Sequence, residues 1–338
     1  MTKSDKNKYI SDYFLDSQKI LAKFNPKNIV ILQFFQRREF AILAGMDEVL
    51  DLLIQNSDYK NYKIRYLKDG ARLGKREIVL ELEGPLHLFG HFEGMIDGIL
   101  ARSTSIATNA YLCKKAARNK DIIFMADRSD HYLMHKIDGK AARLGGVNLF
   151  SNLAQAGSKK SENFGSMPHS LIQNFQGDLI KTANAYRQIF PEKELVALVD
   201  FNNDVINDSL AVLAKFGKKL AGVRIDTAHN IADKMFSDPQ PDDFGINAKL
   251  VKKLREELDK NDGKHVKIIV SSGLTPPKIR KLEQQNSPID AYGVGEYMLQ
   301  IRHHFSADAT VLNNERIAKF GRFYRKNPKL IPFEYEQG

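Results

Sequence analysis

Two neighbouring segments near the C-terminus share one arrangement, in which a short apolar run is followed by small residues and then by a helix-forming segment. The copies are Lys267–Val270 with Ser271-Ser272-Gly273 and a helix predicted from Thr275, and Ile289–Tyr292 with Gly293-Val294-Gly295 and a helix predicted from Glu296. A strand that opens into glycines and a helix N-terminus presents free backbone N–H groups and the positive end of a helix dipole to an anion. Two such turns in succession predict the phosphate-binding end of a (β/α) barrel.

Strand-like runs alternate with helix-like segments upstream of these turns, which predicts parallel βαβ units and an α/β fold. The runs at Ile122–Met125, Leu195–Val199 and Leu220–Ile225 each lead into charged residues. Reactive side chains of a barrel gather at the carboxyl ends of its strands. The residues predicted there are Arg128, Asp200, Asp226 and Ser271.

The first hundred residues predict a separate α+β unit. Its predicted elements are a helix from Ser11 to Leu21, strands at Ile29–Phe35, Tyr62–Tyr66 and Ile78–Leu82, and a helix at Met46–Ile54. We therefore predict an N-terminal domain at residues 1–115 and a barrel domain at 116–304. The tail, residues 305–338, is predicted to pack back on the N-terminal domain.

Composition narrows the class of protein. The chain has 338 residues, and its single cysteine, Cys113, excludes an internal disulfide and a multi-cysteine zinc site. No apolar run reaches the ~20 residues that span a bilayer, and the polar N-terminus lacks a signal-peptide core, so we expect a cytoplasmic protein. The net charge of +10 is spread along the chain and no Trp is present, so neither nucleic acid nor membrane is an expected partner.

Two motifs carry candidate chemistry. Arg224 and Asp226 lie two residues apart on a predicted strand and so on one face; they suit either a sugar phosphate or a structural ion pair. His169 follows the turn Gly165–Pro168, where it is either a general base, a phosphoryl acceptor or a surface residue.

A pair of aspartates and one tyrosine are further candidates. Asp200 and Asp204 at a strand end either hold Mg²⁺ through water or cap the next helix. Tyr13, taken by itself, is predicted to be a core residue of an amphipathic helix.

Taken in order, these segments resemble nicotinate phosphoribosyltransferase, a type II phosphoribosyltransferase, from about Asp12 to Tyr297. The matching segments are Gly84-Pro85-Leu86, Leu100–Asn109, Gly165–Ser170, Leu198-Val199-Asp200, Gly222–Asp226, Ser271–Leu274 and Tyr292–Gly295. The resemblance implies an N-terminal α/β sandwich joined to an irregular α/β barrel, in a homodimer with shared active sites. It also implies phosphoribosyl transfer from phosphoribosyl pyrophosphate to nicotinate in NAD salvage, with Mg²⁺ and with ATP as co-substrate.

The resemblance assigns roles to residues. His169 matches a transiently phosphorylated histidine that gives the enzyme a ligase-like coupling to ATP, and Arg224 and Asp226 are assigned to the catalytic centre. Tyr13 matches a tyrosine that stacks on the pyridine ring from the neighbouring subunit, and Arg128 resembles an arginine near the base carboxylate. Asp200 and Ser272 are assigned to substrate binding, and Gly273, Gly293 and Gly295 to the 5′-phosphate. No direct protein ligand to Mg²⁺ is implied.

The sequence departs from this family after Asp226, where Thr227-Ala228-His229-Asn230 replaces the usual Ser-Gly-Asp. The chain is therefore expected to be a divergent, short member. Quinolinate or nicotinamide transfer and a non-catalytic regulator that binds a phosphoribosyl ligand remain alternatives.

Overall fold

The computed structural model describes residues 7–118, 120–157 and 164–334. Its α-helices in chain order are α1 Asp12–Phe24, α2 Met46–Asn56, α3 Glu93–Ala116, α4 His135–Leu144, α5 His169–Asn174, α6 Leu179–Ile189, α7 Val205–Phe216, α8 Ala248–Lys260 and α9 Pro276–Gln284. Its strands are β1 Ile29–Gln36, β2 Ala41–Ile42, β3 Lys63–Tyr66, β4 Arg72–Leu73, β5 Ile78–Pro85, β6 Asp121–Phe124, β7 Leu149–Phe150, β8 Leu195–Leu198, β9 Leu220–Ile225, β10 Lys267–Val270, β11 Ala291–Val294, β12 Phe305–Leu312 and β13 Ile331–Pro332.

The chain divides into two compact units. One comprises the described residues up to Thr108 together with those from Gln300 onward, and the other comprises Asn109–Leu299. The boundaries drawn from the sequence, at 115/116 and 304/305, stay a prediction.

The first unit is built on an antiparallel sheet with the strand order β12-β1-β5-β3-β13. Alternate side chains of its strands point to opposite faces, and the apolar face packs against α2 and α3. The buried core includes Leu32, Phe34, Leu80, Leu82, Phe89 and Ile96.

The polar face of this sheet is crossed by the C-terminal segment. Gln33 on β1 is paired in register with Glu81 on β5 and with Asp308 on β12. The amide of Gln33 donates to the Arg325 carbonyl at 2.9 Å and accepts from the Arg325 N–H at 3.0 Å. The tail then pairs with β3 through β13, so it completes the sheet of the first unit.

The second unit carries a parallel sheet with the strand order β7-β6-β11-β10-β9-β8. Its strands are short, almost continuously apolar runs, which is typical of strands covered on both faces. In the described part of the chain β7 and β8 are its edges, so the sheet is a curled half-barrel and not a closed ring. The α/β fold with a separate antiparallel domain is as the sequence predicts.

Two local predictions near the C-terminus are wrong. The helix expected from Glu296 is a single 3₁₀ turn, Glu296–Leu299. Gly293 lies inside β11 instead of following it, because the strand continues beyond Tyr292 to pair with β6 as far as Val294.

Candidate active site

The polar residues that follow the parallel strands lie at one edge of the half-barrel. Asp200 follows β8, Asp226 follows β9, and Ser271 follows β10. Parallel strands bring their carboxyl ends to the same edge, which is where ligands of such sheets bind. The structure therefore joins residues that are 71 positions apart, from Asp200 to Ser271, in one hydrogen-bonded chain.

This chain of hydrogen bonds links four side chains. The Nε2 of His169 lies 3.1 Å from the Asp200 Oδ1, and the Asp200 Oδ2 accepts from the Asp226 backbone N–H at 3.2 Å. The Ser271 hydroxyl donates to the Asp226 Oδ1 at 2.6 Å. Each carboxylate is thus held in one orientation by a neighbouring strand end.

Asp200 and His169 differ in their access to solvent. The Asp200 side chain is 5% exposed, whereas that of His169 is 45% exposed. Burial raises the pKa of Asp200, while His169 and its hydrogen bond oppose that increase. A carboxylate that binds one ring nitrogen orients the imidazole and leaves the other nitrogen for chemistry.

Arg224 is the half-buried cation of the site. Its Nη2 donates to the Met167 carbonyl at 3.1 Å, and its Nη1 lies 3.9 Å from the Sδ of Met125. Burial lowers the pKa of Arg224, and the charges of Asp226 and Asp200 oppose that decrease. Because Asp226 binds Ser271 and Arg224 binds Met167, their contacts do not support the simple structural ion pair that the sequence left open.

The turn after β10 holds two successive residues in left-handed backbone. Ser272 and Gly273 have positive φ angles of 78° and 57°. This conformation is unusual for Ser272, because left-handed backbone favours glycine. Both residues lie just before the N-terminus of α9, and their predicted contact with phosphate stays a prediction.

Gly293 in β11 and Gly295 just after it are required for a different reason. A Cβ atom added to Gly293 would lie 2.5 Å from the Met125 Sδ, and one added to Gly295 would lie 2.8 Å from the Met125 carbonyl oxygen. Both positions therefore need glycine to accommodate the segment after β6. Their predicted contact with a 5′-phosphate stays a prediction.

The segment after β6 also brings in Arg128 and Asp127. Both are exposed, and both act electrostatically on Arg224. The Ser151 hydroxyl lies 3.0 Å from the Asp127 Oδ1. The sequence analysis did not include Met125, Asp127 or Ser151 among the site residues. Their positions just after β6 and β7 could have identified them.

Asp204 occupies the N-cap position of α7, but its side chain does not cap that helix. Its Oδ2 accepts from the Asn207 amide at 3.1 Å, and the N-terminal Val205 N–H of α7 donates to Asp233 instead. The contact of Asp200 or Asp204 with Mg²⁺ through water stays a prediction. Within the described residues, no group of three or more His, Cys, Asp or Glu side chains has the arrangement of a metal site.

Neither Tyr13 nor Cys113 takes part in the hydrogen-bonded chain His169–Asp200–Asp226–Ser271. Tyr13 is 64% exposed on α1 of the first unit, so the prediction that it is a core residue is wrong. Cys113 is fully buried in α3, as predicted for a small apolar residue. No helix among the described residues has the length and apolar character needed to cross a bilayer.

Comparison with known proteins agrees with this architecture. Residues 16–104 match the family described as quinolinate phosphoribosyl transferase, N-terminal domain. The solved nicotinate-nucleotide pyrophosphorylase from Pyrococcus furiosus is 28% identical, with a TM-score of 0.83 over 96% of this chain and 81% of that one. Human nicotinic acid phosphoribosyltransferase, 16% identical, shares the fold with a TM-score of 0.68 over 91% of this chain and 76% of its own.

Fold and site together are similar to those of type II phosphoribosyltransferases. In sequence the chain is similar to the nicotinate phosphoribosyltransferase of Bacillus subtilis, with 24% identity over 311 residues and 81% of this chain. The aligned part spans 59% of the length of that relative. These similarities agree with the resemblance found in the motifs.

Proposed function

We propose that the protein transfers the phosphoribosyl group of phosphoribosyl pyrophosphate to nicotinate, giving nicotinate mononucleotide and pyrophosphate in NAD salvage. The observation that carries this proposal is the hydrogen-bonded chain His169–Asp200–Asp226–Ser271 beside the half-buried Arg224 at the strand ends. The similarity to nicotinate phosphoribosyltransferase supports the choice of reaction.

The reaction breaks the bond between the anomeric carbon and pyrophosphate and forms a bond from that carbon to the pyridine nitrogen. The sugar carries positive charge in the transition state, so the protein mainly positions the reactants and stabilises charge. The carboxylates of Asp200 and Asp226 suit ribose hydroxyls. Arg224 and the N–H groups near Gly273 suit phosphate oxygens, and Arg128 suits the carboxylate of nicotinate.

Mg²⁺ is the proposed metal, and it would neutralise the pyrophosphate leaving group when bound. The residues that would hold it, through water, are Asp200 and Asp226. Both lie at the strand ends beside the proposed phosphate contacts.

ATP coupling is a separate part of the proposal and rests on His169. Because Nε2 faces Asp200, Nδ1 is the nitrogen available to attack the γ-phosphorus of ATP, with ADP as the leaving group. The carboxylate of Asp200 would stabilise the positive charge that the ring gains in this step.

A specific observation favours nicotinamide as a second candidate base. Asp127 lies close enough to act on Arg224 and is held by Ser151. A carboxylate can accept a hydrogen bond from an amide, whereas it repels the carboxylate of nicotinate. Asp127 and Arg128 therefore favour different bases at neighbouring positions.

The assembly proposed is a cytoplasmic homodimer in which Tyr13 of one subunit contacts the base held by the other. Its support is the exposed apolar face of α1, which leaves Tyr13, Ile20 and Phe24 uncovered. Nicotinate and phosphoribosyl pyrophosphate are the proposed small-molecule partners.

One assay tests the reaction. The full chain is incubated with Mg²⁺, phosphoribosyl pyrophosphate and nicotinate, nicotinamide or quinolinate, with and without ATP, and the mononucleotide is detected by mass. We expect nicotinate mononucleotide as the main product, and a His169→Ala protein that no longer responds to ATP. Asp127→Asn should improve the use of nicotinate relative to nicotinamide.

Other outcomes separate the alternatives. Product formation that ignores ATP and survives His169→Ala would remove the phosphohistidine step and leave the transferase. A preference for nicotinamide that is lost in Asp127→Asn would establish the second candidate. Binding of phosphoribosyl pyrophosphate without product from any base would leave only the regulator.

A further inference from the structure

The side chain of Met125 occupies a notch over the glycines of β11. Its backbone N–H donates to the Val294 carbonyl at 2.9 Å. A Cβ atom on Gly293 would meet the Sδ of Met125 at 2.5 Å and its Cε at 2.9 Å. The thioether therefore lies directly against the backbone of Gly293, in space that any larger residue at that position would fill.

The same thioether contacts the guanidinium of Arg224. Nη1 of Arg224 lies 3.9 Å from the Sδ, while Nη2 donates to the Met167 carbonyl on the other side. The third nitrogen, Nε, is buried without a hydrogen-bond partner. The guanidinium is thus bounded by Met125 and by the Met167 carbonyl, and only a weak acceptor faces Nη1.

Beneath these contacts, Met125 packs on the apolar interior of the half-barrel. The cluster on which it rests consists of Ile123, Val196, Ile269 and Ala291. Methionine is unbranched and polarisable, so it can fill the irregular space between Gly293 and the guanidinium of Arg224. Met125 therefore connects the apolar interior to the charged edge of the sheet.

We propose that Met125 is a positioning residue for Arg224. An arginine side chain loses rotamer entropy when it is fixed on a ligand, and the Met125 side chain, which lies against Gly293, restricts that freedom beforehand. If the Met125 side chain is shortened, the guanidinium of Arg224 gains space over Gly293 and moves away from Asp200 and Asp226. The binding part of this inference rests on the proposed function, because it takes phosphoribosyl pyrophosphate as the anionic ligand.

The packing part is independent of any activity. Gly293→Ala, Met125→Ala and the double variant form a thermodynamic cycle, measured by urea unfolding. Gly293→Ala should be strongly destabilising alone and at most half as destabilising when Met125 is already alanine. Equal destabilisation in both backgrounds would overturn the packing. If Gly293→Ala does not fold, recovery of a folded protein in the double variant gives the same answer.

The binding part uses calorimetry with phosphoribosyl pyrophosphate and Mg²⁺, which requires no turnover. Met125→Ala should raise the dissociation constant about tenfold, the scale of one impaired hydrogen bond to a charged group. Met125→Leu keeps the volume of the side chain and should remain within twofold of the wild-type value. Met46→Ala, a truncation of a fully buried methionine in the first unit, should lose stability but keep its affinity.

Two results would overturn the positioning role. One is an unchanged dissociation constant in Met125→Ala, and the other is an equal increase in Met46→Ala. If the wild-type protein binds phosphoribosyl pyrophosphate but makes no mononucleotide, the proposed reaction fails while this inference is still decided by the binding data.

Discussion

At the scale of single residues, two carboxyl groups in α3 are held where their charge is unfavourable. Burial raises the pKa of Asp97 to about 7, and the charge of Glu93 adds to this increase. Burial and the charge of Asp308 raise the pKa of Glu93 to about 7 as well. The Oδ1 of Asp97 is buried and lacks a hydrogen-bond partner. The ionised carboxylate therefore loses hydrogen bonds to water at this oxygen and gains none from the protein.

These shifts predict how stability depends on pH. The ordinary values are 3.8 for Asp and 4.5 for Glu, so between about pH 4 and pH 7 the folded protein binds more protons than the unfolded chain. The contribution of these two carboxyl groups to stability is fully present below about pH 4 and is lost as the pH rises through 7. Asp97→Asn should therefore gain about 2 kcal/mol in unfolding free energy at pH 8 relative to pH 5, compared with wild type.

Urea unfolding at several pH values between 4.5 and 8 measures this difference, with Asp51→Asn as a control at an exposed carboxylate. Parallel curves for Asp97→Asn and wild type would contradict the prediction. An equal effect in the control would show that the gain belongs to general surface charge and not to α3.

At the scale of elements, two helical glycines differ in what surrounds them. A Cβ atom on Gly139 of α4 would lie 2.0 Å from the Gln155 carbonyl oxygen, whereas one on Gly98 of α3 would meet nothing within 4 Å. Gly139→Ala should force α4 away from the segment after β7. The free energy of unfolding should fall by about 1–3 kcal/mol, the usual cost of overpacking. Gly98→Ala should stabilise by about 0.5–1 kcal/mol, because alanine favours a helix.

Thermal and urea unfolding of both variants check this contrast. The same substitution in the same kind of element should change stability in opposite directions. A neutral Gly139→Ala would mean that α4 does not rest on the Gln155 backbone.

The elements also mark what the sequence could predict. The strand–helix rhythm predicted β8, β9, β10 and the polar residues after them, because short apolar runs ending in polar residues are typical of buried parallel strands. β12 was missed since its residues are mixed in polarity, and its pairing with β1 depends on residues about 280 positions away. The prediction for the second glycine turn was wrong because Gly293 lies within β11, and because both glycines make room for Met125.

The site shows the same limit. Asp200, Asp226 and Ser271 were available as strand-end residues and His169 as a residue after a turn, yet the order of their hydrogen bonds depends on which strands are neighbours in space. The position of Met125 against Gly293 could not be predicted, because it requires the distance between a side chain on one strand end and a glycine on the next. Pattern predicts which residues reach an edge, and packing decides which of them touch.

At the scale of the whole molecule, α1 leaves an apolar face uncovered in the first unit. Phe14 and Leu15 pack on the core of that unit, whereas Tyr13, Ile20 and Phe24 are 64%, 56% and 68% exposed. Three large exposed side chains on one short helix mark an interaction surface. In the proposed homodimer this face is covered by the second copy.

Replacing two of these side chains tests the assembly directly. Wild type should elute with about twice the chain mass of 38.4 kDa in light scattering, and Ile20→Glu/Phe24→Glu should elute as a monomer. The reason is that each side chain contributes roughly 2 kcal/mol of burial, which an ionised carboxylate replaces with a desolvation cost. Lys19→Glu changes charge on the same helix without removing apolar surface, and it should remain a dimer. A wild-type monomer, or a double variant that still dimerises, would show that α1 does not form the interface.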